Sequence, residues 1–326
     1  MKMIKIDKSF SGVISVVEKG KHQVLVEYGH ADKANRIPNR INTKFPTASA
    51  GKVFVATAIL KLIEERRITF DTTLGEALSF DLKKIDPEIT LRQLLNHTSG
   101  IPDYFDESVM ENYEDLWVDF PNYRIRKSED LIPLFINKPM MYPKGERFQY
   151  NNTGYVVLGL VIEELTGKPF DEALGNMIFE PCHMKDTGYY ELDRLPANCA
   201  NAYIYDEERG EYRTNIFSVD AKGTGAGGAF TTAPDVELFW KGLTGGKLIS
   251  STMVKEMFAP QVKGGFYGYG VWLLDGGIPS FQGCDPGVNF ITSYDPEKQR
   301  TITILSNVDY DVEELHGKIL TGEMGQ

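Results

Sequence analysis

Near the amino terminus two stretches rich in β-branched residues, Gly12-Val13-Ile14-Ser15-Val16-Val17 and Gln23-Val24-Leu25-Val26-Glu27-Tyr28, flank the turn signal Glu18-Lys19-Gly20-Lys21. That pattern predicts a β-hairpin. A second hairpin is predicted near the other end, where Phe290–Tyr294 and Thr301–Ser306 surround Asp295-Pro296-Glu297-Lys298. Between these ends the apolar positions follow a mostly helical pattern. Val53–Arg66 is small or apolar through its first turns and charged only at its end, which predicts a helix buried on most sides. Thr90 is placed to cap Leu91–Leu95, and Thr232 with Pro234 opens Asp235–Leu243. Tyr155–Leu165 closes on Thr166-Gly167-Lys168-Pro169, a helix stop followed by a proline restart. There is no internal repeat. Strands at both termini with helices between them predict an α/β lobe, residues 1–70 and 205–326, built from both ends of the chain. A helical lobe, residues 71–204, is inserted into it.

Composition narrows the function classes. The chain has 326 residues, 42% hydrophobic and 25% charged, an ordinary globular balance. Lys and Arg number 35 against 46 Asp and Glu, a net charge of -11, which places nucleic-acid and anionic-lipid binding at a disadvantage. Cys182, Cys199 and Cys284 are too few and too scattered for a disulfide framework, and three reduced thiols is the simpler reading. Neither they nor the five histidines show a metal-ligand spacing, so the expectation is no metal and no cofactor. The first residues, Met1 to Lys8, carry no apolar segment behind their lysines, and the most apolar stretches fall short of the ~20 residues of a membrane span. As written, the chain is expected to be soluble and cytoplasmic, with its state of assembly left open.

Chemistry is concentrated in a few places. Ser49-Ala50-Gly51-Lys52 is the only Ser-x-x-Lys in the chain, where a strand-like approach meets the apolar helix. Residues three apart share a helix face with Cβ atoms about 5–6 Å apart, so the lysine reaches the hydroxyl. Burial and the positive end of the helix dipole favour its neutral form, which is what a general base must be. From these residues alone the plainer alternative stands, with Ser49 a helix cap and Lys52 reaching to the surface. Tyr150-Asn151-Asn152 precedes another helix; a tyrosine oxygen relays protons and a carboxamide orients a lysine and a substrate amide, though a packed tyrosine in a turn fits as well. Phe281-Gln282-Gly283-Cys284-Asp285-Pro286-Gly287 is a glycine-containing approach to an apolar strand, where a backbone N–H could meet a reacting carbonyl. Gly223-Thr224-Gly225-Ala226-Gly227-Gly228 matches a dinucleotide-binding spacing, but lacks the preceding strand and the helix opening. Packing beneath an active site, or a plain turn, is the better reading.

In their order these pieces resemble the serine β-lactamase and penicillin-binding protein superfamily, on the side of class C β-lactamases, DD-peptidases and related esterases. The resemblance runs over nearly the whole chain, through Phe45–Lys52, Leu91–Gly100, Tyr150–Tyr155, Gly227–Thr232 and Tyr269–Trp272. It implies an antiparallel sheet flanked by helices with an inserted all-helical lobe, and an active site in the cleft between the lobes. It further implies Ser49 as nucleophile, Lys52 and Tyr150 as the proton relay, and Asn152 orienting Lys52 and binding the substrate amide. The N–H groups of Ser49 and Cys284 would form an oxyanion hole. His97-Thr98-Ser99-Gly100 is structural by this pattern.

One departure stands out. The family's third motif usually begins with Lys or His; here Phe281-Gln282-Gly283 occupies it, so a ring replaces the cation that would meet a substrate carboxylate. Gln282 can still hydrogen-bond, and an arginine elsewhere could compensate. A second feature is Asp103–Asp119, with seven acids, no Lys or Arg, and four aromatic residues. It reads either as a solvated loop with some core aromatics or as an acidic rim preferring uncharged or cationic substrates. The resulting expectation is a serine acyl hydrolase for a small-molecule or peptide substrate. Two alternatives are a penicillin-binding protein or carboxypeptidase that deacylates slowly, and a silent binding protein on the same fold.

Overall fold

The computed structural model describes residues 6–323. Both predicted hairpins form and meet in one antiparallel sheet. Its strands are β1 (Gly12–Glu18), β2 (Lys21–Tyr28), β3 (Trp272–Leu274), β4 (Ile278–Asp285), β5 (Val288–Asp295) and β6 (Arg300–Ser306), in the order β2-β1-β6-β5-β4-β3. The first and last strands of the sheet in chain order therefore pair with each other: β1 lies against β6 with Ile14 opposite Ile304.

Side chains alternate across a strand, and both faces of this sheet are covered. Ile14, Val16, Ile291, Ile302 and Ile304 pack beneath α4 (Val312–Thr321). The opposite face, including Val13, Phe290 and Leu305, joins the main core around α1 (Lys52–Glu64), α2 (Asn152–Thr166) and α3 (Ala233–Thr244). Helix α1 is buried from Lys52 to Leu60, as its apolar run predicts. Thr90 and Thr232 cap their helices through the backbone N–H groups of Gln93 and Asp235.

The inserted segment is less helical than expected. Residues 96–151 hold no α-helix, only short 3-10 turns such as Tyr113–Trp117 and Ser128–Leu134. Five prolines, at 102, 121, 133, 139 and 143, interrupt this stretch, and each removes a helix donor and clashes with the preceding turn.

A second correction concerns Phe281. The ring does not stand in the cleft at the third motif. It is 2% exposed, 5.0 Å from the Trp240 ring and stacked on Phe290 at 5.8 Å, with Phe54 of α1 on its other side. Strand periodicity places Phe281 on the face that lies under α1. Phe281→Ala is expected to lower unfolding stability by about 3–5 kcal/mol, the range for emptying a large aromatic site in a close-packed core. Urea denaturation checks this; a change below ~1 kcal/mol would mean the ring is not part of the core.

Candidate active site

Ser49 lies in the 3-10 turn Ala48–Gly51 that runs directly into α1, so Lys52 begins the helix one turn after it. Ala48, immediately before Ser49, adopts a left-handed φ of 47°, a strained conformation for a residue with a Cβ. The Lys52 side chain is buried with three partners. Its Nζ donates to Ser49 Oγ at 2.9 Å, Asn152 Oδ1 at 2.8 Å and the Ala226 carbonyl at 2.5 Å. Three acceptors match the three N–H bonds of an ammonium. Burial lowers the Lys52 pKa to about 8, while the charges of Glu107, Asp103 and Asp285 act the other way.

Asn152 opens α2, and the helix start is anchored by one buried carboxylate. Asp103 accepts the backbone N–H of Asn152 at 2.8 Å and of Thr153 at 3.0 Å, and the Thr153 hydroxyl at 3.1 Å. An anion at a helix N-terminus is favoured by the unpaired N–H groups and the dipole. The Asn152 amide is oriented from both ends: Oδ1 faces Lys52, and Nδ2 donates to the Phe105 carbonyl at 3.2 Å and Glu107 Oε1 at 3.1 Å. The donor expected to meet a substrate amide is thus already in contact with a carboxylate.

Tyr150 stands beside the pair of Ser49 and Lys52, with Lys52 Nζ 4.9 Å from its ring centre. Burial holds its hydroxyl well above the ordinary tyrosine range, so it stays protonated at neutral pH. The ring is packed between His97, at 4.5 Å, and Trp272, stacked at 6.0 Å. His97 Nδ1 accepts the Asn151 N–H at 3.1 Å, which leaves the proton on Nε2, 3.0 Å from the Tyr267 oxygen. Burial and the Lys52 charge keep His97 neutral. It is a wall for Tyr150, in keeping with the structural reading of His97–Gly100.

The glycine-rich segment 223–228 lies against the Ala48–Gly51 turn. Gly228 donates its N–H to the Ala48 carbonyl at 3.0 Å, and a Cβ on Gly227 would come 2.4 Å from that same oxygen. Strand β4 closes the other side. Its neighbour β3 pairs only with Ile278–Ser280, leaving the edge from Gln282 onward free. Gly283 packs so tightly on the turn that a Cβ would sit 2.6 Å from the Ser49 nitrogen. Cys284 and Asp285 follow it into the cleft, whereas the Gln282 side chain donates to Glu313 Oε1 at 2.9 Å.

These elements surround a cavity of about 960 Å³ with Ser49, Asn152, Cys284 and Asp285 on its wall. Much of the Asp103–Asp119 stretch lines it too, from Tyr104 to Glu114, so this is a cleft wall and not a detached solvated loop. The stretch is tied across the cleft: Tyr113 donates to Asp220 Oδ1 at 3.1 Å, Trp117 Nε1 to the Ser218 carbonyl at 3.1 Å, and Arg213 pairs with Glu114 at 2.8 Å. Arg213, the arginine on the cavity wall, is therefore already matched by an acid. Asp103, Glu107, Trp272 and the Ala226 carbonyl were not singled out by sequence as site groups. The acidic stretch and the glycine segment were the available signals for three of them.

The beta-lactamase family model matches residues 5–321. A penicillin binding protein from Bacillus halodurans has the same fold, with a TM-score of 0.92 and 36% identity over 96% of this chain and 97% of that one. PbpX of Bacillus subtilis (strain 168), named as a penicillin-binding protein, is 28% identical over 302 residues, 92% of this chain and 71% of its own length. The teichoic acid D-alanine hydrolase of Staphylococcus aureus is 28% identical over 265 residues, 79% of this chain and 59% of that protein. The chain belongs to the beta-lactamase family.

Proposed function

We propose that this protein is a serine acyl hydrolase that cleaves an ester or amide through an acyl-enzyme on Ser49. The observation that carries this reading is the Lys52 nitrogen, held at once by Ser49 Oγ, Asn152 Oδ1 and the Ala226 carbonyl with its pKa drawn to about 8. A neutral amine has two N–H bonds and one lone pair. With both protons held by Asn152 and Ala226, the lone pair aims at Ser49.

Lys52 in that form takes the Ser49 proton as Oγ bonds to the substrate carbonyl carbon. The carbonyl oxygen becomes an oxyanion, stabilised by the N–H groups of Ser49 and Cys284. Collapse breaks the bond to the leaving oxygen or nitrogen, which receives the proton from Lys52 through Tyr150. Water then attacks the acyl-enzyme, gives a proton back to the same relay, and Ser49 leaves with its proton restored. Intact placement of Ser49, Lys52, Tyr150 and Asn152 argues against a silent binding protein.

The substrate side of the reading rests on Gln282. In place of a cation at the third motif stands an amide drawn to Glu313 on the opposite face of the sheet, so this end of the cleft offers a carboxylate no counter-charge. A substrate carboxylate would find no partner there, which favours leaving groups without one. The likeness to the Bacillus halodurans penicillin binding protein supports a second reading, in which β-lactams acylate Ser49 and are released slowly.

Intact-protein mass spectrometry after a fluorescent penicillin and, separately, a neutral p-nitrophenyl ester distinguishes the two. Ester turnover without a lasting adduct supports the hydrolase; a lasting penicillin adduct lost in Ser49→Ala supports the second reading. If Ser49→Ala changes neither result, the nucleophile is misassigned. For the neutral ester, kcat/KM is expected to rise with pH through an apparent pKa near 8, because Lys52 must lose a proton to act as base and kcat/KM reports the free enzyme. A flat profile from pH 6 to 9 would remove Lys52 from that role. Between matched esters with neutral and carboxylate-bearing leaving groups, the neutral one is expected to react at least tenfold faster; the reverse preference would overturn the reading of Gln282 and Glu313.

A further inference from the structure

We propose that Glu107 selects the acyl group, holding a primary ammonium carried on the carbon next to the scissile carbonyl, so that the preferred substrates are aminoacyl esters or amides. This deepens the acyl-hydrolase reading and rests on it.

Glu107 is linked to the catalytic relay through a single amide group. Asn152 turns its Oδ1 to Lys52 at 2.8 Å and its Nδ2 to Glu107 Oε1 at 3.1 Å. The carboxylate is therefore held beside the place where the acyl carbonyl must sit to meet Ser49, about 3 Å from the attacking oxygen. A carboxylate has about four acceptor positions, and among the described residues only Asn152 donates to this one. The remaining positions are exposed to the cavity. An ammonium one carbon beyond the carbonyl falls on that side of the cleft.

Asp285 is the independent observation. It stands on the free edge of β4 directly after Cys284, lines the same cavity, and receives no hydrogen bond from the described residues. Burial pushes its carboxyl up to about 7; the Lys52 charge lowers it and the Glu107 charge raises it. Glu107 and Asp285 thus line one cavity with Ser49, each with acceptor positions open to it, and a cation bound in that cavity would be held by both. No group of three or more His, Cys, Asp or Glu among the described residues is arranged to hold a metal ion. Separated single carboxylates suit an ammonium, whose three N–H bonds point in different directions. A competing role for Glu107 is only to orient Asn152, and that role predicts equal losses for every acyl group.

The test compares the benzyl ester of alanine, each enantiomer, with benzyl propionate at pH 7. The leaving group is identical, and released benzyl alcohol is the readout. For the better enantiomer, kcat/KM is expected to exceed that of propionate at least tenfold, since charge-assisted hydrogen bonds are the strong ones. Glu107→Gln should cut this ratio at least tenfold, and Asp285→Asn, which does not touch Asn152, should lower it as well. A wild-type ratio near one, or a ratio unchanged in Glu107→Gln while both rates fall together, overturns the proposal. Turnover of benzyl propionate through a Ser49 adduct without an ammonium preference sinks this inference alone. No acylation of Ser49 by either ester sinks the acyl-hydrolase reading and this one with it.

Discussion

A buried ammonium is the demand around which this molecule is arranged. Removing a lysine charge from water is costly unless every N–H finds an acceptor. Lys52 finds them in three segments far apart in sequence: the turn before α1, the first residue of α2, and the glycine-rich segment at 223–228. Meeting that demand makes three separate segments of the chain converge on one atom. Other contacts secure the convergence. Asp103 fixes the start of α2, Gly227 and Gly228 close on Ala48, and Gly283 lets β4 press against the Ser49 nitrogen.

The acids near Lys52 do two jobs that pull in one direction. Desolvation alone would take the lysine further toward its neutral form; Glu107, Asp103 and Asp285 oppose it, and the balance near 8 keeps the group able both to accept and to return a proton. The same negative groups fill the cleft with a field that attracts cations and repels carboxylates. Base strength and substrate charge are therefore coupled. A substitution that neutralised Glu107 or Asp285 would make Lys52 easier to deprotonate while weakening the hold on a cationic substrate.

Local pattern carries local contacts well. Ser49 and Lys52 are legible because three residues make nearly a helical turn, and the caps at Thr90 and Thr232 because the bond partner lies three residues on. The hairpins were visible from their turns. What sequence could not supply was direction across the fold. Nothing local shows that Glu107 points at Asn152, or that a backbone carbonyl, at Ala226, completes the lysine's shell. The prolines between 96 and 151 were there to read, yet the aromatic and apolar content of the stretch masked them. Its residues are held by cross-cleft bonds such as Tyr113 to Asp220, and not by helix periodicity.

Phe281 shows how a missing group can be misplaced. Counting along the motif puts the ring at the family's cation position, and a ring there reads as an obstacle in the cleft. The alternation of a strand says otherwise. Gly283 must face the Ala48–Gly51 turn with no side chain, so Phe281, two residues earlier, faces the same way and is carried under α1 into the core. Gln282, between them, points to the opposite face and pairs with Glu313. The third motif has thus been divided between core packing and an acid-bound amide, and neither part offers a carboxylate any attraction. On the proposed reading this weakens recognition on the leaving-group side, while two carboxyl groups with open acceptor positions, Glu107 and Asp285, stand on the same cavity wall as Ser49. If the proposed acyl-enzyme forms, binding energy that depends on charge is concentrated on the acyl group, the part of the substrate that would stay attached to Ser49 after the first bond breaks.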